Sequence, residues 1–307
     1  MNSQPTVSPE FVCVGSIFID DIVFPDGRTV MEVLGGGGVH AAAGVLTWGE
    51  RPGLVSCAGE DIPESALHRL ERDFDLRGLI HLDLPQARAW QVFEWDGKRT
   101  ELYRMQIMQP YLDDPQPEDL PESYRQARGV SILRGAEPFV RWREALPDAV
   151  LLWEPSQDFM QPNHADAFFK ALPAADIVSP NLVEARLVGG DLEPEALIAQ
   201  MLAHGARIVV LRMGELGSLI GARELGSPLL VPPVPVATIV DQTGAGNTYC
   251  GGFLAGWVKT GDLMQAACYG AVAASFALEV IGVAHPSGAD FGAERDRRLE
   301  WLRARLG

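Results

Sequence analysis

The sequence predicts an α/β protein with a mostly parallel sheet, helices on both faces and a small β-hairpin lid. Three observations predict it. Short, near-continuous apolar runs such as Phe11–Ile19 and Leu54–Ala58 have the pattern of strands covered on both faces. From about Val130 onward such runs alternate with helical segments, which parallel strands require for their crossovers. Two hairpin patterns interrupt the early chain, one around Pro25-Asp26-Gly27 and one between residues 87 and 109.

In order, Phe11–Ile19 reads as one buried strand, interrupted at Asp20-Asp21. Ile22–Val33 is a hairpin about Pro25-Asp26-Gly27. Gly35-Gly36-Gly37-Gly38 leads into Val39–Trp48, an Ala-rich helix suited to close packing. Leu54–Ala58 is a second buried strand. Pro63–Phe74 places Leu67, Leu70 and Phe74 at helical spacing. In the second hairpin Trp90, Val92 and Glu94 alternate with Gln91, Phe93 and Trp95. Asp96-Gly97 makes its turn and Thr100–Gln106 its return strand. The Pro- and acid-rich stretch Gln109–Pro121 reads as a linker back to the main sheet. Val130–Leu133, Ala149–Trp153, Asp176–Val178 and Ile208–Leu211 follow as short strands. Val231–Val240 is extended, and Thr248–Val258 is helical. Ala266–Ala284 contains Glu279 and many small residues, which suits a buried helix better than a membrane span. The expected organisation is a single domain over residues 1–307, with lid segments at about 20–34 and 87–109.

Charge and cysteine usage narrow the function. Acidic residues outnumber basic ones by 41 to 25, and no window holds the cluster of Lys and Arg that phosphate backbones or anionic lipid would need. Neither nucleic acid nor membrane is therefore an expected partner. The four cysteines lie far apart without a CxxC, and the start, MNSQPTVSPE, has neither the basic nor the apolar region of a signal peptide. A cytoplasmic location is expected. There is no GxGxxG after the first strand, no GxxxxGK[ST], no HExxH and no GxSxG, which disfavours redox, P-loop, zinc-hydrolase and serine-hydrolase chemistry.

Three segments carry possible chemistry. Asp241-Gln242-Thr243-Gly244-Ala245-Gly246-Asn247 opens a helix. It is either an ordinary tight turn or a set of backbone N–H groups forming an anion hole for phosphate. Gly35–Gly38 is either a close-packing device or flexible hinge, or part of a site beside Asp20, whose carboxylate could grip sugar hydroxyls or merely cap a helix or turn. Asn181-Leu182-Val183-Glu184 has the spacing of a helix-capping box; the same pair could orient a hydrated magnesium ion and its phosphates.

Taken in order, these segments resemble the ribokinase-like (PfkB) family of small-molecule kinases, from about Phe11 to about Gly288. Gly15–Asp20 resembles the family's opening strand and substrate-binding Asp. Gly35-Gly36 through Asp61 is similar to its glycine-rich signature, and Asp96–Thr100, including Arg99, to its lid hairpin. Asn181 and Glu184 match its Asn-x-x-Glu. Gly214-Glu215-Leu216-Gly217 matches a loop near the nucleotide, and Asp241–Gly246, with Thr243, its C-terminal signature. The resemblance implies ATP and Mg²⁺ as cofactors, with Glu184 reaching the metal through water. It also implies phosphoryl transfer to a hydroxyl of a sugar, nucleoside or related alcohol, and a lid-mediated homodimer. Asp20, Gly35, Gly36, His40 and Arg99 would meet the substrate. Asn181, Glu184, Arg212, Gly214, Gly217, Asp241 and Thr243 would meet the nucleotide, and Gly244, Ala245, Gly246 and Asn247 the reacting phosphate. This sequence departs from the family pattern at four places. Asn247 stands where the family has a catalytic Asp, and His40 where it usually has Asn. Arg212 stands where Thr is commoner, and Glu154-Pro155-Ser156 replaces Asp-Pro-Asn. The first two departures fit either an unusual substrate or a catalytically silent protein that binds nucleotide or sugar as a sensor or regulatory partner.

Overall fold

The computed structural model describes residues 8–95, 99–104 and 107–306. Its strands are β1 (Phe11–Val14), β2 (Phe18–Val23), β3 (Thr29–Gly35), β4 (Gly53–Gly59), β5 (Asp75–Leu82), β6 (Arg88–Phe93), β7 (Arg99–Tyr103), β8 (Gly129–Arg134), β9 (Val150–Pro155), β10 (Ile177–Val178), β11 (Ile208–Arg212), β12 (Ser218–Ala222) and β13 (Leu229–Val231). The helices are α1 (Gly37–Leu46), α2 (Glu64–Asp73), α3 (Gln109–Asp113), α4 (Ala136–Ala145), α5 (Ala165–Ala171), α6 (Leu182–Gly189), α7 (Pro194–Ala203), α8 (Ala245–Thr260), α9 (Leu263–Ala277) and α10 (Phe291–Leu306).

Nine strands form the large sheet in the order β13-β12-β11-β10-β9-β8-β1-β4-β5. From β5 to β11 every pairing is parallel, as expected, and β12 and β13 add an antiparallel edge. Side chains alternate between two cores, which is why the strands read as unbroken apolar runs. Cys13, Ile208 and Val210 face the core built by α1, α8, α9 and α10. Val12, Val14, Val209 and Leu211 face the one built by α4 to α7. The small residues of α1 and α8 let the two helices approach backbone to backbone. A Cβ on Gly251 would come within 1.8 Å of the Ala41 carbonyl oxygen. The helix expected within Ala266–Ala284 is α9, and no described helix is long and apolar enough to cross a membrane.

A second sheet, β3-β2-β6-β7, fits the expected hairpin lid. Its hairpins β2–β3 and β6–β7 are antiparallel, and they join through the parallel pair β2–β6. The expected turn residues Asp96, Gly97 and Lys98 lie outside the described residues; the register on either side, Phe93 opposite Arg99, is that of a hairpin.

Two expectations are corrected. Phe11–Ile19 is two strands in different sheets. The chain leaves the large sheet at Gly15, whose backbone abuts Gly38 at the start of α1, so Asp20 lies within β2 and not at the end of the first strand. Gln109–Pro121 is no plain linker: it holds α3, with Tyr111 buried against the small sheet's core. Val231–Val240, expected to be extended, gives its first residue to β13; the prolines that follow lack the N–H that a ladder needs.

Candidate active site

A cleft of about 960 Å³ lies between the small sheet and the carboxyl ends of the large sheet's strands. This is where open parallel sheets bind ligands. Asp20, Gly36, His40, Arg99, Asn181, Glu184, Arg212, Gly214, Gly217 and Thr243 to Asn247 all line it. Gly35 and Asp241 do not line it; Gly35 packs against the lining Asp20, and Asp241 holds the lining Thr243.

The turn before α8 is built from its own side chains. The Oδ1 of buried Asp241 accepts the Thr243 N–H at 2.8 Å, and its Oδ2 accepts the Gly282 N–H at 3.3 Å. Gly244 then takes a left-handed φ of +73°, so the chain turns directly into the helix. The first bond along α8 runs from Thr248 N–H to Gly244 O at 2.8 Å. The N–H groups of Gly246 and Asn247 precede it and point outward at the helix's positive end. The buried Oγ1 of Thr243 has no hydrogen-bond partner. The turn thus leaves unpartnered donors at a helix N-terminus, an arrangement that suits an anion.

The glycine run brings three polar side chains together. A Cβ on Gly35 would fall 2.0 Å from Asp20 Oδ2, and one on Gly37 would fall 3.2 Å from Asn247 Nδ2. His40, one turn further on, lies against Gly244. Asp20 is 3% exposed, and its Oδ1 accepts from Gln91 Nε2 at 2.9 Å. Burial pushes its carboxyl up to about 7, with a further push from the charge of Glu101, against the pull of the Gln91 hydrogen bond. His40 is 1% exposed with both ring nitrogens unpartnered, and burial holds its imidazole down to about 3. It is therefore neutral, with one donor and one acceptor available to a ligand.

At the far end of the cleft Asn181 and Glu184 form the capping box. Asn181 Oδ1 accepts the Glu184 N–H at 2.8 Å, and Glu184 Oε2 accepts the Asn181 N–H at 3.0 Å. Capping and cleft lining are thus combined in one pair. Arg212, the last residue of β11, donates from Nη1 to Glu154 Oε1 at 2.7 Å and from Nη2 to the Ser179 carbonyl at 2.8 Å. Burial raises the Glu184 carboxyl, although the nearby Arg212 charge opposes this. The hairpin loop Gly214–Gly217 closes this end, with Met213 N–H donating to Gly217 O at 2.8 Å.

Sequence reasoning missed Gln91. Its Nε2 bridges Asp20 and Glu101, each at 2.9 Å, and its own Oε1 is buried without a donor. The only trace in sequence was a polar residue set between Trp90 and Val92 in an amphipathic strand.

Residues 154–289 match the model of the pfkB family carbohydrate kinases. An uncharacterized protein of Schizosaccharomyces pombe is 28% identical, over 91% of this chain and 87% of its own. A cytidine kinase of Thermococcus kodakarensis is 28% identical, over 81% of this chain and 89% of its own. Among solved structures, the nucleoside kinase of Methanocaldococcus jannaschii, described as an archaeal member of the ribokinase family, superposes with a TM-score of 0.74 at 21% identity. That superposition covers 95% of this chain and 98% of the other. The segment that carries the turn before α8 thus matches the model of the pfkB family carbohydrate kinases, and the chain as a whole has the ribokinase-like fold.

Proposed function

We propose that this chain is an ATP- and magnesium-dependent phosphotransferase acting on a hydroxyl of a sugar, nucleoside or related small molecule. The observation that carries the reading is that one cleft holds both the free N–H groups of Gly246 and Asn247 and the carboxyl of Asp20. The first suits a transferring phosphoryl group, and the second suits the hydroxyl that attacks it. Residues 1–307 would act as one domain, with the small sheet as a lid that excludes water. The protein would work in the cytoplasm, without nucleic acid or membrane, as a homodimer joined through the lids.

The residues fit magnesium. Glu154 keeps a buried Oε2 without a partner, and Glu184 lines the same end of the cleft. Glu184 would hold the ion through water, and magnesium when bound would neutralise phosphate charge. Among the described residues no cluster of three or more carboxylates, histidines or cysteines offers a metal cage, which suits an ion that arrives with the nucleotide.

In the reaction, the Gly246 and Asn247 N–H groups stabilise negative charge on the transferring group. The Asn247 amide orients the attacking hydroxyl but cannot take its proton. Asp20, which stands at the glycine run beside Asn247 and His40, is the carboxyl we assign to accept it; with a value near 7 it is partly ionised at neutral pH. Gly35, Gly36 and Gly37 let the reacting groups approach the backbone. His40 and Arg99 contact the substrate, while Asn181, Arg212, Gly214, Gly217, Asp241 and Thr243 shape the nucleotide end.

A second reading is favoured by Asn247 itself: a silent kinase fold that binds nucleotide or sugar as a sensor or partner. ADP release from ATP and magnesium across a panel of sugars and nucleosides tests both. Turnover by the natural protein supports the kinase. Nucleotide binding without turnover, with turnover gained in Asn247→Asp, supports the silent binder.

A further inference from the structure

Arg212 is the unusual charge in this cleft. Its side chain is 11% exposed at the carboxyl edge of the large sheet, and its guanidinium abuts the first turn of α8: a Cβ on Gly246 would come within 2.2 Å of Nη1. Two hydrogen bonds, to Glu154 and to the Ser179 carbonyl, fix its plane, and Glu184 Oε2 lies 3.9 Å from Nη2. A guanidinium has five N–H donors. The Nε–H is buried without a partner, and Nη1 has a second hydrogen beside Gly246. A buried cation costs several kcal/mol of desolvation unless it is well paired; Glu154 pairs with this one, yet leaves its Nε–H unsatisfied. The same cleft holds further unsatisfied groups, Thr243 Oγ1 and both nitrogens of His40, each on a residue at least nine-tenths buried. Asn247, in the first turn of α8, is neutral.

We propose that Arg212 is a built-in counter-charge for the donor's phosphate chain. Fixed beside Gly246 by Glu154 and Ser179, it donates to phosphate oxygens held at the first turn of α8, so that the cleft keeps its hold on that chain when magnesium is withdrawn. The inference rests on the reading that this cleft takes a nucleoside triphosphate, and goes beyond it by dividing the task of neutralisation between the protein and the metal.

The test is calorimetric titration of the purified full chain with ATP, ADP and AMP, each in magnesium and in EDTA. The variants are Arg212→Lys, Arg212→Met and the double variant Arg212→Met/Glu154→Gln. The double variant removes the carboxylate that the single change would strand, and circular dichroism confirms which proteins are folded. The natural protein is expected to bind ATP in EDTA. The Met variants should lose about 10- to 100-fold for ATP and ADP, the scale of a charge-assisted hydrogen bond, with a smaller loss for AMP and an intermediate one for Lys. Equal losses for all three nucleotides would mean a merely structural arginine and would overturn the proposal. So would folded Met variants binding ATP within threefold of the natural protein in EDTA, or a natural protein that binds only with magnesium. No nucleotide binding by the natural protein in either condition would instead sink the kinase reading, and this inference with it.

Discussion

The imidazole of His40 lies flat on Gly244. A Cβ at Gly244 would sit 2.2 Å from Cγ, 2.2 Å from Nδ1 and 2.3 Å from Cδ2, distances so nearly equal that it would press on the face of the ring. The start of α1 and the turn at the start of α8 therefore meet at this contact, as they do at Gly37 and Asn247. Gly244→Ala would force the ring aside and place a side chain at φ +73°. We expect a destabilisation of about 2–4 kcal/mol by urea unfolding, from strain and overpacking together. Adding His40→Ala should recover the packing part but not the backbone part.

His40 also sets an acid limit. Its folded value of about 3 lies below the ordinary 6.5, so the unfolded chain binds a proton that the folded chain refuses. The stability this residue contributes is present above 6.5 and is lost as pH falls from there toward 3. His40→Gln should flatten that part of the stability–pH curve and leave pH 8 little changed. Thermal melts between pH 4 and 8 check this; an unchanged slope would mean that the ring is protonated in the fold.

Asp20 works with the opposite sign. Its folded carboxyl near 7 lies above the ordinary 3.8, so stability is greatest when it is protonated and declines as pH rises from about 4 through 7. Asp20→Asn should melt higher than the natural protein at pH 8, with the gap closing toward pH 4. If Asp20 is the base, turnover should rise with pH through about 7, and Asp20→Asn should remove that limb with a loss of about 10²–10⁴ in kcat.

Gln91 tunes the same limb. Its hydrogen bond favours the ionised form of Asp20, and burial disfavours it. Gln91→Leu removes the bond and keeps the burial, so the activity limb should move to higher pH. A limb that stays near 7 would separate Asp20 from the rate profile.

The contrast between Gln91 and Arg212 shows what sequence could carry. The two-sided burial of the large sheet was legible because Val12 and Cys13, or Val209 and Val210, face opposite cores, and only an unbroken apolar run satisfies both. The same property hid the break at Gly15, since Phe18 and Ile19 are as buried in the small sheet as Phe11 and Val12 in the large one. Gln91 acquires its role from the β2–β6 pairing, which sets Gln91 opposite Ile22 and its neighbour Ala89 opposite Asp20. No local pattern encodes a pairing across some seventy residues. Arg212 was visible as a departure in a motif. Its cage was not, because Glu154, Ser179 and Arg212 meet only through the adjacency of β9, β10 and β11.

Asn247→Asp is the sharpest single change. The Asn247 amide stands 3.2 Å from where a Gly37 Cβ would be, so a carboxylate of the same shape fits without collision. It would add a proton acceptor at the helix turn proposed to meet the phosphate, and also a negative charge beside it. These effects oppose one another: nucleotide affinity should fall a fewfold, while the chemical step gains whatever a general base is worth. If Asp20 already removes the proton, the gain should be small and the pH limb near 7 should persist. If nothing removes it, kcat should rise by about 10²–10⁴ and the limb should move to the low pH of an ordinary carboxylate. Single-turnover rates at saturating ATP, measured from pH 5 to 9 with Asp20→Asn/Asn247→Asp alongside, separate the two cases. An active double variant would place the whole of the proton transfer at position 247 and none of it at Asp20.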